Sequence, residues 1–143
     1  MKVLGLSITK NIFGLALLEK AETPTIIKMD KFSVKKCRTT PEQMNWFENV
    51  FIEIINKYQP DIVSYRIVLN PDKDGIVTWE FPLGVLNCIC YKRQIDTCEF
   101  TSSKIGAVAL TLFDSLFGAV ETGQNKEAKQ AAMAAYYALG DKR

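Results

Sequence analysis

The first twenty residues, MKVLGLSITKNIFGLALLEK, constrain the fold more than any other stretch of the chain. They form two apolar runs joined by a short polar turn at Lys10 and Asn11. Two such runs around a short turn predict a pair of antiparallel strands. Residues 25–34 alternate between apolar and polar side chains and predict a third strand. The first third of the chain is therefore expected to form a three-stranded antiparallel meander.

The sequence period changes after this meander. Thr40-Pro41-Glu42-Gln43 supplies a helix N-cap, a proline at the first helical position and a capping-box glutamine. Apolar residues then recur every three or four positions over residues 44–58, which predicts one long amphipathic helix. The pair Gln59-Pro60 is expected to end it, because a residue before proline disfavours the helical conformation.

The rest of the chain alternates short strands with helices. The expected elements are a strand at 61–69, a helix at about 81–92, a strand at 95–100 and an alanine-rich helix at 127–139. The order β-β-β-α-β-α-β-α predicts an α/β fold with a five-stranded mixed sheet, in which parallel strands extend the antiparallel meander and helices cover both faces. At 143 residues the chain is expected to form a single domain, residues 1–143.

Composition excludes several kinds of site. The chain has no histidine, which removes Ser-His-Asp and Cys-His catalysis, and its four cysteines include no C-x-x-C pair of the kind that binds zinc. No apolar run approaches the roughly 20 residues that cross a bilayer, and no signal-peptide pattern opens the chain. A cytoplasmic protein without membrane contact is expected. A net charge of +2 does not by itself indicate nucleic-acid binding.

Four short stretches carry a resemblance that covers nearly the whole chain. They are VLGLSIT at 3–9, IVSYR at 62–66, TSSKI at 101–105 and QAAMAAY at 130–136. In this order the chain resembles the ribonuclease H-like superfamily and, within it, the RuvC-type Holliday-junction resolvases. It is also similar to a small group of uncharacterised bacterial proteins. The resemblance implies a ribonuclease H-like fold and a two-fold homodimer. In active members, acidic residues hold divalent cations that activate a water for phosphodiester cleavage.

The acidic positions of that family carry other residues in this chain. The resemblance places them at Ser7, at Arg66 and, on the last helix, at Lys129, Gln130 and Met133. Cations such as Mg²⁺ prefer carboxylate ligands, and an arginine puts a fixed positive charge where the metal would lie. The sequence therefore predicts a degenerate site without catalytic residues or a cofactor. The expected function is binding, either to structured nucleic acid or to a protein partner.

Two alternatives for the site stay open. A structure-selective endonuclease would need Mg²⁺ or Mn²⁺ held by relocated acids, and the candidates are Asp72, Asp74 and Glu127. Hydroxyls and cations at the carboxyl ends of the strands would instead form a phosphate or carboxylate pocket. The candidates for that anion pocket are Ser7, Thr9, Lys10, Arg66 and Lys104. A structural ion pair from Arg66 to Asp72 or Glu80 is favoured over the anion pocket.

Partner surfaces are predicted from apolar excess and from the tryptophans. The helix at 81–92 and the segment 107–120 hold more apolar residues than one core face needs, which favours a partner surface and a homodimer. Trp46 is expected to pack at the edge of the core. Trp79 is the better candidate for contact with a ligand or partner.

Overall fold

The computed structural model describes residues 1–67, 71–101 and 122–140, and the side chains of residues 122–126 and 140 are outside that description. Lys104 and the segment 107–120, for which binding roles were predicted, therefore lie outside the described residues. The same holds for the last two residues of the strand predicted at 61–69.

A five-stranded mixed sheet forms the centre of the fold. Strands β1 (Lys2–Ile8), β2 (Ile12–Glu19) and β3 (Thr25–Ser33) form the antiparallel meander. Strands β4 (Ile62–Ile67) and β5 (Asp96–Thr101) extend it, with β4 parallel to both β1 and β5. The spatial order is β3-β2-β1-β4-β5. This is the sheet that the element order predicted.

Four α-helices accompany the described part of the sheet. They are α1 (Thr40–Tyr58), the single turn α2 (Lys73–Gly75), α3 (Phe81–Lys92) and α4 (Thr122–Gly140). A five-residue π-helical segment, Ile76–Glu80, joins α2 to α3 without a break. None of the described helices is long and apolar enough to cross a membrane.

The start of α1 differs by one residue from the expectation. Thr39, not Thr40, is the N-cap, and its side chain accepts a hydrogen bond from the Glu42 backbone N–H at 3.3 Å. The capping-box role predicted for Gln43 is also wrong. Its side-chain amide binds the preceding loop instead, accepting from the Cys37 N–H at 3.0 Å and donating to the Lys35 carbonyl at 2.8 Å. The local sequence pattern could not show that the Gln43 side chain would bind the backbone of the preceding loop in place of the helix N-terminus.

Two hydrophobic clusters lie on opposite faces of the sheet, because successive side chains of a strand point to opposite sides. Helices α1 and α3 cover one face, where Leu4, Leu6 and Phe13 pack against Phe51 and Leu86. Helix α4 covers the other face, where the cluster contains Val3, Ala16, Leu18, Cys98, Ala131 and Ala135. Helices on both faces are therefore confirmed.

Helix α4 packs directly on the backbone of β1 and β2. A Cβ atom at Gly5 would lie 1.8 Å from the Ala131 carbonyl oxygen, and one at Gly14 would lie 2.3 Å from the Glu127 backbone. A buried hydroxyl adds a direct link, since Ser64 Oγ donates to the Ala134 carbonyl at 2.7 Å. The order of these contacts places the first half of α4 at the carboxyl end of β1.

Candidate functional site

Ser7 and Arg66 lie on neighbouring strands, β1 and β4, at the carboxyl edge of the central parallel pair. The ladder of β1 and β4 pairs Gly5 with Ser64 and Leu6 with Tyr65, so the next step places Ser7 opposite Arg66. Both residues belong to the face that α4 covers, because each lies two positions beyond a residue in contact with that helix. Neighbouring strands are about 4.8 Å apart, so the backbones that carry these two side chains are expected at about that spacing.

Glu127 lies at the same edge. Ser7 is 3% exposed, and its hydroxyl donates a hydrogen bond of 2.9 Å to Glu127 Oε2. Helix α4 approaches Gly14 so closely that the Glu127 backbone lies directly over β2. This contact fixes the position of the backbone that carries the Glu127 carboxylate. Of the three relocated-acid candidates, Glu127 is the one that the structure brings to the predicted site.

The other two acids have different surroundings. Asp72 caps α2, and its Oδ1 accepts a hydrogen bond of 2.8 Å from the Gly75 N–H. Asp74 is exposed in the same turn. Within the described ranges, no three acidic or cysteine side chains gather closely enough to hold a metal ion.

Among the described residues, none forms a hydrogen bond or ion pair with the Arg66 guanidinium. It is half-buried, and no hydrogen bond or ion pair joins it to Asp72 or Glu80. The structural ion pair that the sequence favoured for Arg66 is therefore absent. A guanidinium without that carboxylate partner can donate two parallel hydrogen bonds to an incoming phosphate or carboxylate.

The three positions on α4 have different environments. Lys129 is buried at 6% exposure and is engaged with other groups, whereas Gln130 is half-buried. Met133 is 3% exposed and belongs to the hydrophobic cluster under α4. Their equivalence to the family's acidic positions stays a prediction.

The remaining anion candidates divide in two. The Thr9 hydroxyl closes the β1–β2 turn, donating to the Ile12 carbonyl at 2.6 Å and accepting from the Ile12 N–H at 3.2 Å. Lys10 lies exposed at the tip of that turn. The structure thus joins Ser7 to Glu127 by a hydrogen bond, with Arg66 on the neighbouring strand at the same edge and Lys10 exposed on the β1–β2 turn.

Trp79 has a structural partner. Its indole N–H donates to the Ile8 carbonyl at 2.6 Å, which ties the π-helical segment to the end of β1. Trp46 packs as predicted at the edge of the core, with its ring 5.0 Å from that of Phe47.

Sequence reasoning missed a polar cluster beneath α3. The Tyr65 hydroxyl accepts a hydrogen bond from Asn87 Nδ2 at 2.7 Å and donates to Glu99 Oε1 at 3.3 Å. Burial, above all, raises the pKa of Tyr65 to about 12. An asparagine inside the apolar α3 stretch was the one available signal.

Comparison with known proteins gives structural matches alone. No protein-family model and no curated protein sequence matches the chain. Thermus thermophilus RuvC in complex with a Holliday junction substrate superposes with a TM-score of 0.77 at 13% identity, over 97% of this chain and 94% of RuvC. The chain has a RuvC-type, ribonuclease H-like fold.

Two further resolvases share this RuvC-type fold. The yeast mitochondrial Holliday junction resolvase matches with a TM-score of 0.71 at 11% identity, over 96% of this chain and 77% of its own. The Fowlpox virus resolvase, in complex with substrate Holliday junction DNA, matches with a TM-score of 0.62 at 10% identity, over 98% and 97% of the two chains. Identities this low show the fold alone.

Proposed function

We propose that this protein binds structured nucleic acid at the carboxyl edge of its sheet, without metal-dependent cleavage. The observation that carries the proposal is the position of Arg66. It lies beside Ser7 on the face where a RuvC-type fold would hold its metal, and it makes no ion pair with Asp72 or Glu80. The site would then attract phosphate instead of a divalent cation.

Charge supports this choice. A divalent ion in an oxygen site usually needs more than one carboxylate, and Glu127 is the described acid that contacts Ser7. A guanidinium on the adjacent strand repels a cation and attracts a phosphate, which it can bind through two hydrogen bonds. The Ser7–Glu127 hydrogen bond would hold the carboxylate to one side of that phosphate.

Nucleic acid is favoured over a protein partner because two of the structural neighbours are complexes with Holliday junctions. Arg66 and Lys10 add positive charge at the same edge, as binding to a phosphate backbone requires. We further propose a homodimer in the cytoplasm. Light scattering at micromolar concentration tests the dimer, and a strict monomer would remove it.

The test is binding and cleavage of a four-way DNA junction, with a linear duplex of the same sequence for comparison. Arg66→Gln should weaken junction binding about tenfold, the lower end of what a charge-assisted hydrogen bond contributes. The matched control is Arg93→Gln, because Arg93 ends α3 at the opposite edge of the sheet. Its effect should stay within about twofold. Equal losses in both variants, or no binding by the unmodified protein, would refute the proposal.

The second candidate function is a nuclease with relocated metal ligands, and the position of Glu127 favours it. In that case Mn²⁺ should support junction cleavage, and Glu127→Gln should abolish it. Asp72→Asn and Asp74→Asn, measured in the same assay, show whether cleavage also requires either of these two acids. Cleavage that a chelator stops and that depends on Glu127 would replace the binding proposal with this one.

A further inference from the structure

A second candidate site lies at the same edge of the sheet, on the face that α1 covers. It is a cavity of about 200 Å³ between the β1–β2 turn, the loop before α1 and the π-helical segment. Lys10 and Lys36 line it together with Thr9, Gln43 and Thr78, and none of its described lining residues is acidic. Water occupies about 30 Å³ per molecule, so the cavity has room for a phosphate group and several waters.

The backbone that carries Lys36 is fixed on both sides. Gln43 donates to the Lys35 carbonyl at 2.8 Å and accepts from the Cys37 N–H at 3.0 Å. One side chain of α1 thus holds the residues before and after Lys36. The lysine is presented to the cavity from a fixed loop, which lowers the ordering cost of binding.

The backbone that carries Lys10 is fixed as well. The Thr9 hydroxyl makes two hydrogen bonds with the Ile12 backbone across the turn. On the other side of Lys10, the Asn11 carbonyl accepts from the Val34 N–H at 2.8 Å, which joins the turn to the loop that bears the second lysine. The two lysines therefore belong to one connected frame.

We propose that Lys10 and Lys36 bind a phosphate group of the nucleic-acid backbone, as a second subsite beside Ser7 and Arg66. This inference rests on the proposed function, because a strand that crosses the carboxyl edge would meet both subsites. Lys10 follows Ser7 by three residues, so their Cα atoms are at most about 11 Å apart. Successive phosphates of one strand advance about 3.4 Å along a duplex, so the two subsites fall within a few nucleotides.

The experiment compares Lys10→Ala/Lys36→Ala with Lys20→Ala/Lys28→Ala, a control that removes the same charge. Lys20 is exposed at the opposite end of the β1–β2 hairpin, and Lys28 is exposed on β3. Losing one phosphate contact should reduce the slope of log affinity against log salt by about 0.9. At about 0.15 M salt this corresponds to a loss of about fivefold in junction affinity. The control should change neither value, and thermal unfolding checks that both variants fold.

A second arm uses inorganic phosphate and does not depend on DNA. Titration followed by NMR should shift the backbone amides of Lys36, Gln43 and Thr78 in the unmodified protein, and the shifts should vanish in Lys10→Ala/Lys36→Ala. Phosphate shifts without DNA binding would refute the proposed function and support a site for a free phosphate compound. DNA binding with an unchanged salt slope in that variant, or an equal change in the control, would overturn the subsite. Absence of both phosphate shifts and DNA binding would overturn both proposals.

Discussion

An acid introduced beside Arg66 tests whether this arginine occupies the place of a divalent cation. Ser7→Asp puts a second carboxylate next to Glu127, which Ser7 contacts at 2.9 Å. With Arg66 on the adjacent strand, the added negative charge has a cation to pair with. With Arg66→Gln in the same chain, two carboxylates face each other without that cation. The effect of Ser7→Asp on stability should therefore depend on residue 66.

The size of that dependence follows from Coulomb's law. Charges about 5 Å apart, the spacing of neighbouring strands, interact by about 3 kcal/mol at an effective dielectric constant of about 20. Arg66 is half-buried, and solvent and salt reduce this to about 1–2 kcal/mol. Without Arg66, the repulsion between the two carboxylates at pH 7 cannot cost more than about 4 kcal/mol, because protonating one carboxyl group of ordinary pKa costs that much.

Urea unfolding of four proteins measures the coupling: the unmodified chain, Ser7→Asp, Arg66→Gln and the double variant. We expect a coupling free energy of about 1–2 kcal/mol at pH 7. In the double variant the facing carboxylates raise the pKa of one group in the folded state, so the folded protein holds more protons than the unfolded chain. Its stability should therefore rise as the pH falls from 7 to 5, and millimolar Mg²⁺ should restore part of the loss. Additive effects, within about 0.5 kcal/mol, would refute the placement of Arg66 beside Ser7.

Three further predictions concern the scaffold around the site. Gly5→Ala should lower the free energy of unfolding by about 3 kcal/mol or more, because the new Cβ would lie 1.8 Å from a backbone oxygen of α4. Gly84→Ala should raise it by about 1 kcal/mol, because a Cβ there has no neighbour within 4 Å. Thermal unfolding that ranks the two variants otherwise would contradict the packing. The pKa of Tyr65 is raised to about 12 in the folded protein, so its hydroxyl should stay mostly protonated at pH 11 in an ultraviolet titration. Its contribution to stability should fall as the pH rises from about 10 to 12, and Tyr65→Phe should lack this pH dependence. Trp79→Phe should cost about 1–2 kcal/mol in urea unfolding, since the Ile8 carbonyl loses its 2.6 Å donor; a neutral result would mean that this bond does not hold the segment.

The fold could be predicted from the sequence because its elements have strong and distinct periods. The long amphipathic pattern of α1 indicates a helix, and the two apolar runs of β1 and β2 around a short turn indicate strands. Their order then restricts the topology to a meander extended by parallel strands. The exact start of α1 could not be predicted in this way, because the N-cap is Thr39 and not the neighbouring Thr40.

The site could be predicted in part. Ser7 and Arg66 were placed together because the carboxyl ends of parallel strands share an edge. That Glu127, and not Asp72, would contact Ser7 depends on how closely α4 approaches the sheet, and this distance is not encoded in a local pattern. The indole bond of Trp79 is equally a property of the assembled fold, since its partner is 71 residues away along the chain.

The close seating of α4 on β1 and β2 has a consequence for how such a site can diversify. At Gly5 and Gly14 the helix meets backbone, so its position relative to the strands depends little on which side chains stand at their tips. Replacements at those tips can then change what the site binds while the helix and strands stay in place. A series of variants that introduces acids at these tips one at a time should keep the same helix–sheet distance at every step.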